Sequence, residues 1–234
     1  MKVAIMQPYI FPYIGYFQLI SEVDKFVIYD NIQYTKKGWI NRNRILINGK
    51  DEYITLPLKK GSDYLKIAER DLADTFANDK IKLLRKIADN YRKAPEYHTV
   101  HSLIEKIVNQ DEQNLFNYIF YSLQSICDFL EIKKEFIVSS TLQIDHSLKG
   151  QDKVIAICQV LNSTEYINPI GGVELYNKDI FWQKNIRLNF LKSKPIEYKQ
   201  YANDFIPWLS IIDVLMFNKR ETVKQYLNSY YTII

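Results

Sequence analysis

Between Lys36 and Arg44 the chain carries Lys36, Lys37, Arg42 and Arg44 together with Trp39, Asn41 and Asn43. Arginine forks match phosphate oxygens, and a tryptophan face stacks on a sugar or a base, so this grouping suits a nucleotide or sugar-phosphate ligand. A solvated cationic loop has the same composition. Along an extended strand Arg42 and Arg44 share one face and Asn41 and Asn43 the other, so only one pair meets a ligand. Earlier, Gln7, Pro8, Tyr9, Phe11, Pro12, Gly15 and Tyr16 follow a short apolar stretch. Prolines there end the strand and force a turn, after which the N–H groups of a following helix and the bare backbone of Gly15 offer an anion site. A rigid apolar cap over a sheet explains the same residues. Acid–base chemistry has three candidates: Asp30, His146 beside Asp145, and Asp152. A histidine next to a carboxylate is readily tuned toward neutral pH, whereas helix capping and turn roles account equally for Asp145 and Asp152. Asn168, Gly171, Gly172 and Tyr176 form a further polar stretch whose paired glycines expose backbone amides or make a tight turn.

Elements of the right kind stand ready to position these residues. Lys2–Met6 reads as a strand, Ile14 to Val23 as a helix and Lys25–Asp30 as a second strand, a βαβ unit with parallel strands. Parallel pairing brings the loop at Gln7–Tyr13 and the loop after Asp30 to one edge, where α/β proteins bind ligands. Arg42–Ile47 and Glu52–Leu58 flank Asn48-Gly49 and are expected to form a hairpin. From about residue 66 to 131 the apolar period is helical, with a break at Pro95. Strand and helix then alternate again: Glu135–Ser140, Gly150–Leu161, Glu165–Asn168 and Asn185–Phe190. The fold class expected is a doubly wound, mainly parallel α/β sheet, Rossmann-like, in a single domain over residues 1–234 with a helical insertion at about 66–131. Phe205–Asn218 reads as a largely apolar helix on which Ser210 and Asp213 lie three apart and need hydrogen-bond partners.

Composition narrows the function classes. The chain has 234 residues, 47% hydrophobic, with 31 Lys+Arg against 27 Asp+Glu. A net charge of +4 helps hold an anionic metabolite but falls short of a nucleic-acid footprint. No apolar run is long enough to span a membrane, and the first residues read as a strand, not a signal peptide, so a cytoplasmic setting is expected. Cys127 and Cys158 lie among apolar neighbours and read as reduced core thiols. His98 and His101 are three apart with no third ligand at a recognisable spacing, so no metal site is assigned.

Taken together, several segments resemble the WbqC-like protein family, found among bacterial genes for O-antigen and other surface-sugar biosynthesis. They are Met6-Gln7-Pro8-Tyr9 with Phe11-Pro12 and Gly15-Tyr16-Phe17, Asp30-Asn31-Ile32-Gln33-Tyr34, and Trp39 with Arg42-Asn43-Arg44. Lys149-Gly150, Tyr166-Ile167-Asn168 with Gly171-Gly172 and Tyr176, and Leu209-Ser210-Ile211-Ile212-Asp213 extend the likeness. The resemblance implies work on sugar nucleotides, including glycyl or other aminoacyl transfer to amino sugars. The opening segment also looks like the nucleotide-binding loop of HIGH-motif adenylate-forming enzymes, with Tyr13 and Tyr16 where that loop has histidines; ATP is the cofactor this points to. On this reading Lys37, Arg42 and Arg44 bind diphosphate, Tyr9 and Trp39 stack on base or sugar, and Gln7, Gln33 and Asn168 hydrogen-bond hydroxyls. Phe11, Pro12, Gly15, Tyr16, Asn43 and Tyr176 complete the substrate site. Asp30, His146 or Asp152 accepts the amine proton, and the amides of Gly171 and Gly172 hold the oxyanion. The substrate expected is a nucleotide-linked amino sugar. A non-catalytic sugar-nucleotide-binding protein and a nucleotidyltransferase are the other readings.

Overall fold

The structure, a computed structural model, describes residues 1–201 and 204–234. Six strands form one sheet in the order β5-β2-β1-β6-β7-β8. These are β1 (Lys2–Met6), β2 (Lys25–Ile28), β5 (Glu135–Val138), β6 (Glu165–Pro169), β7 (Arg187–Ser193) and β8 (Tyr231–Ile233). All neighbours are parallel except β7 and β8. Helices α1 (Ile14–Glu22), α5 (Gly150–Val160), α6 (Lys178–Gln183), α7 (Ile211–Phe217) and α8 (Arg220–Ser229) flank the sheet, giving the doubly wound, Rossmann-like α/β fold. Between β2 and β5 run a separate two-stranded sheet, β3 (Arg42–Ile47) with β4 (Lys50–Thr55), and helices α2 (Phe76–Tyr91), α3 (Tyr97–Val108) and α4 (Leu115–Phe129).

Period-two alternation divides the core. Ala4, Phe26, Ile28, Ile167 and Leu191 face a large apolar cluster shared with α1, α7, α8, the hairpin and α2–α4. Val3, Ile5, Val27, Tyr166, Leu188 and Phe190 face a smaller one built with α5 and Phe181 of α6. A parallel sheet covered on both faces needs apolar residues at every central position, which is why β1 is Val-Ala-Ile within its charged start. Cys127 and Cys158 lie in these two clusters, and burial pushes each thiol up to about 12.

Three departures from the sequence expectations have physical causes. The hairpin turn is only Asn48-Gly49, both at positive φ (49° and 76°), so β4 starts at Lys50 and ends before Pro57. The apolar helix expected from Phe205 begins at Ile211, because Trp208 sits at φ 61° and Ser210 Oγ caps the helix by accepting from Ile212 N–H. Strand β8, with helices α6 and α8, lies outside the periodic segments; β8 has only three residues and is placed by pairing with β7.

Candidate functional site

A cavity of about 400 Å³ opens at the carboxyl ends of β1 and β6, where the strand order reverses. Its floor is Met6 at the end of β1, Gln7 just after it, Ile170 after β6 and Ser193 at the end of β7. The hairpin side supplies Trp39, Asn43 and Arg44, and the loops add Tyr9, Tyr13 and Trp208. Trp39 and Trp208, 40% and 49% exposed, present apolar surface at this cavity. A second cavity of about 330 Å³ adjoins the first. Tyr13 and Trp208 line both, their rings edge-on with centroids 6.1 Å apart, so this aromatic pair is the partition between them. The second cavity is walled by Ile14, Pro195, Ile196, Tyr198, Phe205, Pro207, Leu209 and Val214, with Lys194 and Glu197 as its charged members.

The loop that forms the first cavity is held in a strained conformation. Phe11 has φ 44°, a region that an aromatic residue adopts only when its surroundings impose it. Its carbonyl accepts from Asn43 Nδ2 at 2.7 Å and Ser210 Oγ at 2.8 Å. Asn43 Nδ2 also donates to Ile10 O, Ile10 N–H donates to Ile40 O, and Ile211 N–H donates to Pro12 O. Tyr16 Oη donates to Gln7 O. Behind the loop, the buried Asp213 carboxylate accepts from Tyr91 Oη, Tyr198 Oη and Gln200 Nε2, while Tyr91 Oη in turn accepts from Leu46 N–H of β3. Burial pushes the Asp213 carboxyl above the ordinary carboxylate range, against the lowering effect of its three donors. Ser210 and Asp213 thus fix the hairpin and the Pro-rich loop to α7.

Of the residues singled out from sequence, Gln7, Tyr9, Trp39, Asn43 and Arg44 line the first cavity. Arg44 lies 5.6 Å from the Trp39 ring, pairs with Asp51 at 2.7 Å, and keeps a buried Nε with no partner. Arg42 is occupied otherwise: Nε donates to Gly38 O at 2.9 Å, a terminal nitrogen donates to Lys37 O, and the guanidinium lies over Tyr53. Lys37 is exposed, at φ 63°. Gly15 accommodates a side chain: a Cβ there would stand 2.4 Å from the Tyr13 ring, so the close approach is by Tyr13. Phe11, Pro12 and Tyr16 are buried in the loop's support. Asn168 accepts from Tyr166 Oη, and a Cβ at Gly172 would meet its amide at 2.0 Å, while Tyr176 Oη lies 3.4 Å from Tyr166 Oη. These residues brace the end of β6; Gly171 stands in open space. Gln33 donates to Asp63 O.

The three acid–base candidates gather elsewhere on the same sheet edge and do not line either cavity. Asp30 is buried, with Oδ1 accepting from Ser140 N–H. His146 Nδ1 lies 3.0 Å from Asn31 Nδ2 and Nε2 lies 3.0 Å from Leu142 O, so Nδ1 faces a donor and Nε2 an acceptor. Asp152 is exposed in the first turn of α5. Sequence reasoning missed Met6, Ser193, Ile170 and Trp208 as cavity residues, and the whole second cavity. Tyr13 and Trp208 each lie beside a proline in an aromatic cluster, which is the signal available; Ser193 carries none, being an ordinary strand end.

Among the described residues no helix is long and apolar enough to cross a membrane. No solved structure gives a significant match to the chain. A protein of Mycobacterium tuberculosis (strain ATCC 25618 / H37Rv), named uncharacterized protein Rv1507c, is 31% identical over 230 residues, spanning 97% of each chain. The family model described as the WbqC-like protein family matches residues 7–225, and the chain belongs to that family.

Proposed function

We propose that this protein forms an amide on a nucleotide-linked amino sugar of bacterial surface-polysaccharide biosynthesis, by acyl or aminoacyl transfer. The observation that carries the reading is the pair of cavities sharing the Tyr13–Trp208 wall. A two-substrate transfer needs adjoining compartments of different character. The first, with Gln7, Arg44 and two half-exposed tryptophans, suits a sugar and its nucleotide; the second, largely apolar, suits the acyl portion of a donor. In the chemical step the sugar amine attacks the acyl carbon, the C–N bond forms, the donor's leaving group departs with its electron pair, and the amine loses a proton. Glu197 is the carboxylate lining the second cavity and is assigned as the acceptor of that proton. Incubation with amino-sugar nucleotides and either an activated acyl donor or glycine with ATP, followed by mass spectrometry, tests the reading. It expects a product heavier by one acyl group, lost in Glu197→Gln. Unchanged substrate masses with every donor would defeat it.

One observation favours a second reading, that of a sugar-nucleotide-binding protein without turnover. Among the described residues no carboxylate or imidazole lines the first cavity. Stoichiometric binding with no change in ligand mass is the result that reading expects.

A further inference from the structure

Lys153 is 4% exposed, and its Nζ has one side-chain partner, Asn31 Oδ1 at 3.2 Å, beside the Tyr29 ring at 5.1 Å. Among the described residues no carboxylate reaches salt-bridge distance of that nitrogen. A buried ammonium without a counter-ion weakens a fold, since it loses its hydration and gains little in return. Lys66 belongs to the segment laid against Asn31, since Ile67 N–H donates to Ile32 O and Ala68 N–H donates to Asp30 O; burial, the largest influence, and Lys66 disfavour the charged form of Lys153, and Asp30 opposes them more weakly. Stability therefore does not explain the residue.

The surroundings describe what does. Asn31 is immobilised from both sides, its Oδ1 accepting from Ser139 Oγ as well as Lys153 and its Nδ2 donating to His146. Lys153 lies in the first turns of α5, where side chains lean toward the helix N-terminus. Three residues earlier on that face is Gly150, at φ 51°, where an added Cβ would meet nothing within 4 Å. Gly150 therefore leaves the start of α5 open on that face. Lys149, the N-cap residue of α5, makes no side-chain cap hydrogen bond. Asn31, Ser139 and α5 stand beyond the carboxyl ends of β2 and β5, the sheet edge that also holds the first cavity.

We propose that Lys153, with Lys66, is a phosphate-binding subsite whose natural occupant is the diphosphate of the ligand. This deepens the reading of a nucleotide-linked substrate, and does not depend on acyl transfer. It also supplies the cations that Arg42, bound to backbone carbonyls, does not.

Thermal unfolding and calorimetry with inorganic pyrophosphate, at matched ionic strength, test it on the full chain. Without anion, Lys153→Met is expected to melt at a higher temperature than the parent. Pyrophosphate should raise the melting temperature of the parent but not of Lys153→Met, and Lys153→Arg should retain the response. Lys66→Ala, a change at an exposed position, should weaken pyrophosphate binding by about tenfold, the loss expected for one charge-assisted contact. A lower melting temperature for Lys153→Met, or its failure to fold, would mark the lysine as structural and overturn the proposal. So would pyrophosphate affinity unchanged in Lys66→Ala. A sugar nucleotide that binds through Lys153 where the free sugar does not identifies the bound phosphate as the ligand's own; equal binding of both contradicts this. Pyrophosphate binding without any acyl product removes the proposed chemistry and leaves this subsite standing.

Discussion

Arg42 and Arg44 share a strand face, and at the residue scale their surroundings separate them. Arg42 spends its nitrogens on the Gly38 and Lys37 carbonyls and its face on Tyr53, whereas Arg44 lines the cavity, has an exposed partner in Asp51 and keeps a buried Nε without a partner. An exposed ion pair contributes little to stability, so Arg44→Ala should leave the unfolding midpoint nearly unchanged while weakening ligand binding by about tenfold. Arg42→Ala should do the reverse, destabilising by about 1–2 kcal/mol in urea titrations. Asn43→Ala leaves the Ile10 and Phe11 carbonyls short of a donor beneath a positive-φ residue and should cost about 2–3 kcal/mol. Sequence composition placed these residues in one group, but composition cannot say which cation faces a ligand, because that depends on which backbone carbonyls the 36–41 turn presents.

At the element scale the hairpin and the βαβ unit were legible, since Asn48-Gly49 demands a two-residue turn and β1 and β2 are continuous apolar runs. Helix α1 was legible too, but the reason for its glycine was not. Gly15 is there because the Tyr13 ring folds back over the helix start, a contact between residues two apart that no periodicity reveals. Gly15→Ala carries a helix-propensity gain of up to about 1 kcal/mol, opposed by displacement of Tyr13. The gain should therefore emerge only in a Tyr13→Ala background, and a double-mutant cycle by chemical denaturation should show coupling between the two positions. Independent, additive effects would contradict the contact.

On the scale of the whole molecule, strand order was beyond the sequence. The reversal between β1 and β6, which creates the cavity, joins residues about 160 positions apart in register Val3–Tyr166, and the antiparallel edge strand β8 has β7 as its strand partner. A stability consequence follows from the buried Lys153. Desolvation lowers its folded pKa below the ordinary 10.5, with Lys66 acting in the same sense and Asp30 against it. Between that lowered value and 10.5 the unfolded chain binds the extra proton, so this residue's contribution rises with pH across the window. The advantage of Lys153→Met over the parent, measured as a melting-temperature difference, should shrink as pH is raised toward 10.5; a constant difference would contradict the assignment.

The chain's three tryptophans provide the most direct test of the central claim, that the ligand enters the cavity at the β1–β6 reversal. Trp39 and Trp208 line that cavity, whereas Trp182, on α6 and 69% exposed, lines neither cavity. With indole nitrogens labelled, titration with a nucleoside-diphosphate amino sugar should move the Trp39 and Trp208 N–H resonances and leave that of Trp182 in place. Movement of Trp182 alone, or binding by calorimetry with Trp39 and Trp208 unmoved, would place the ligand elsewhere.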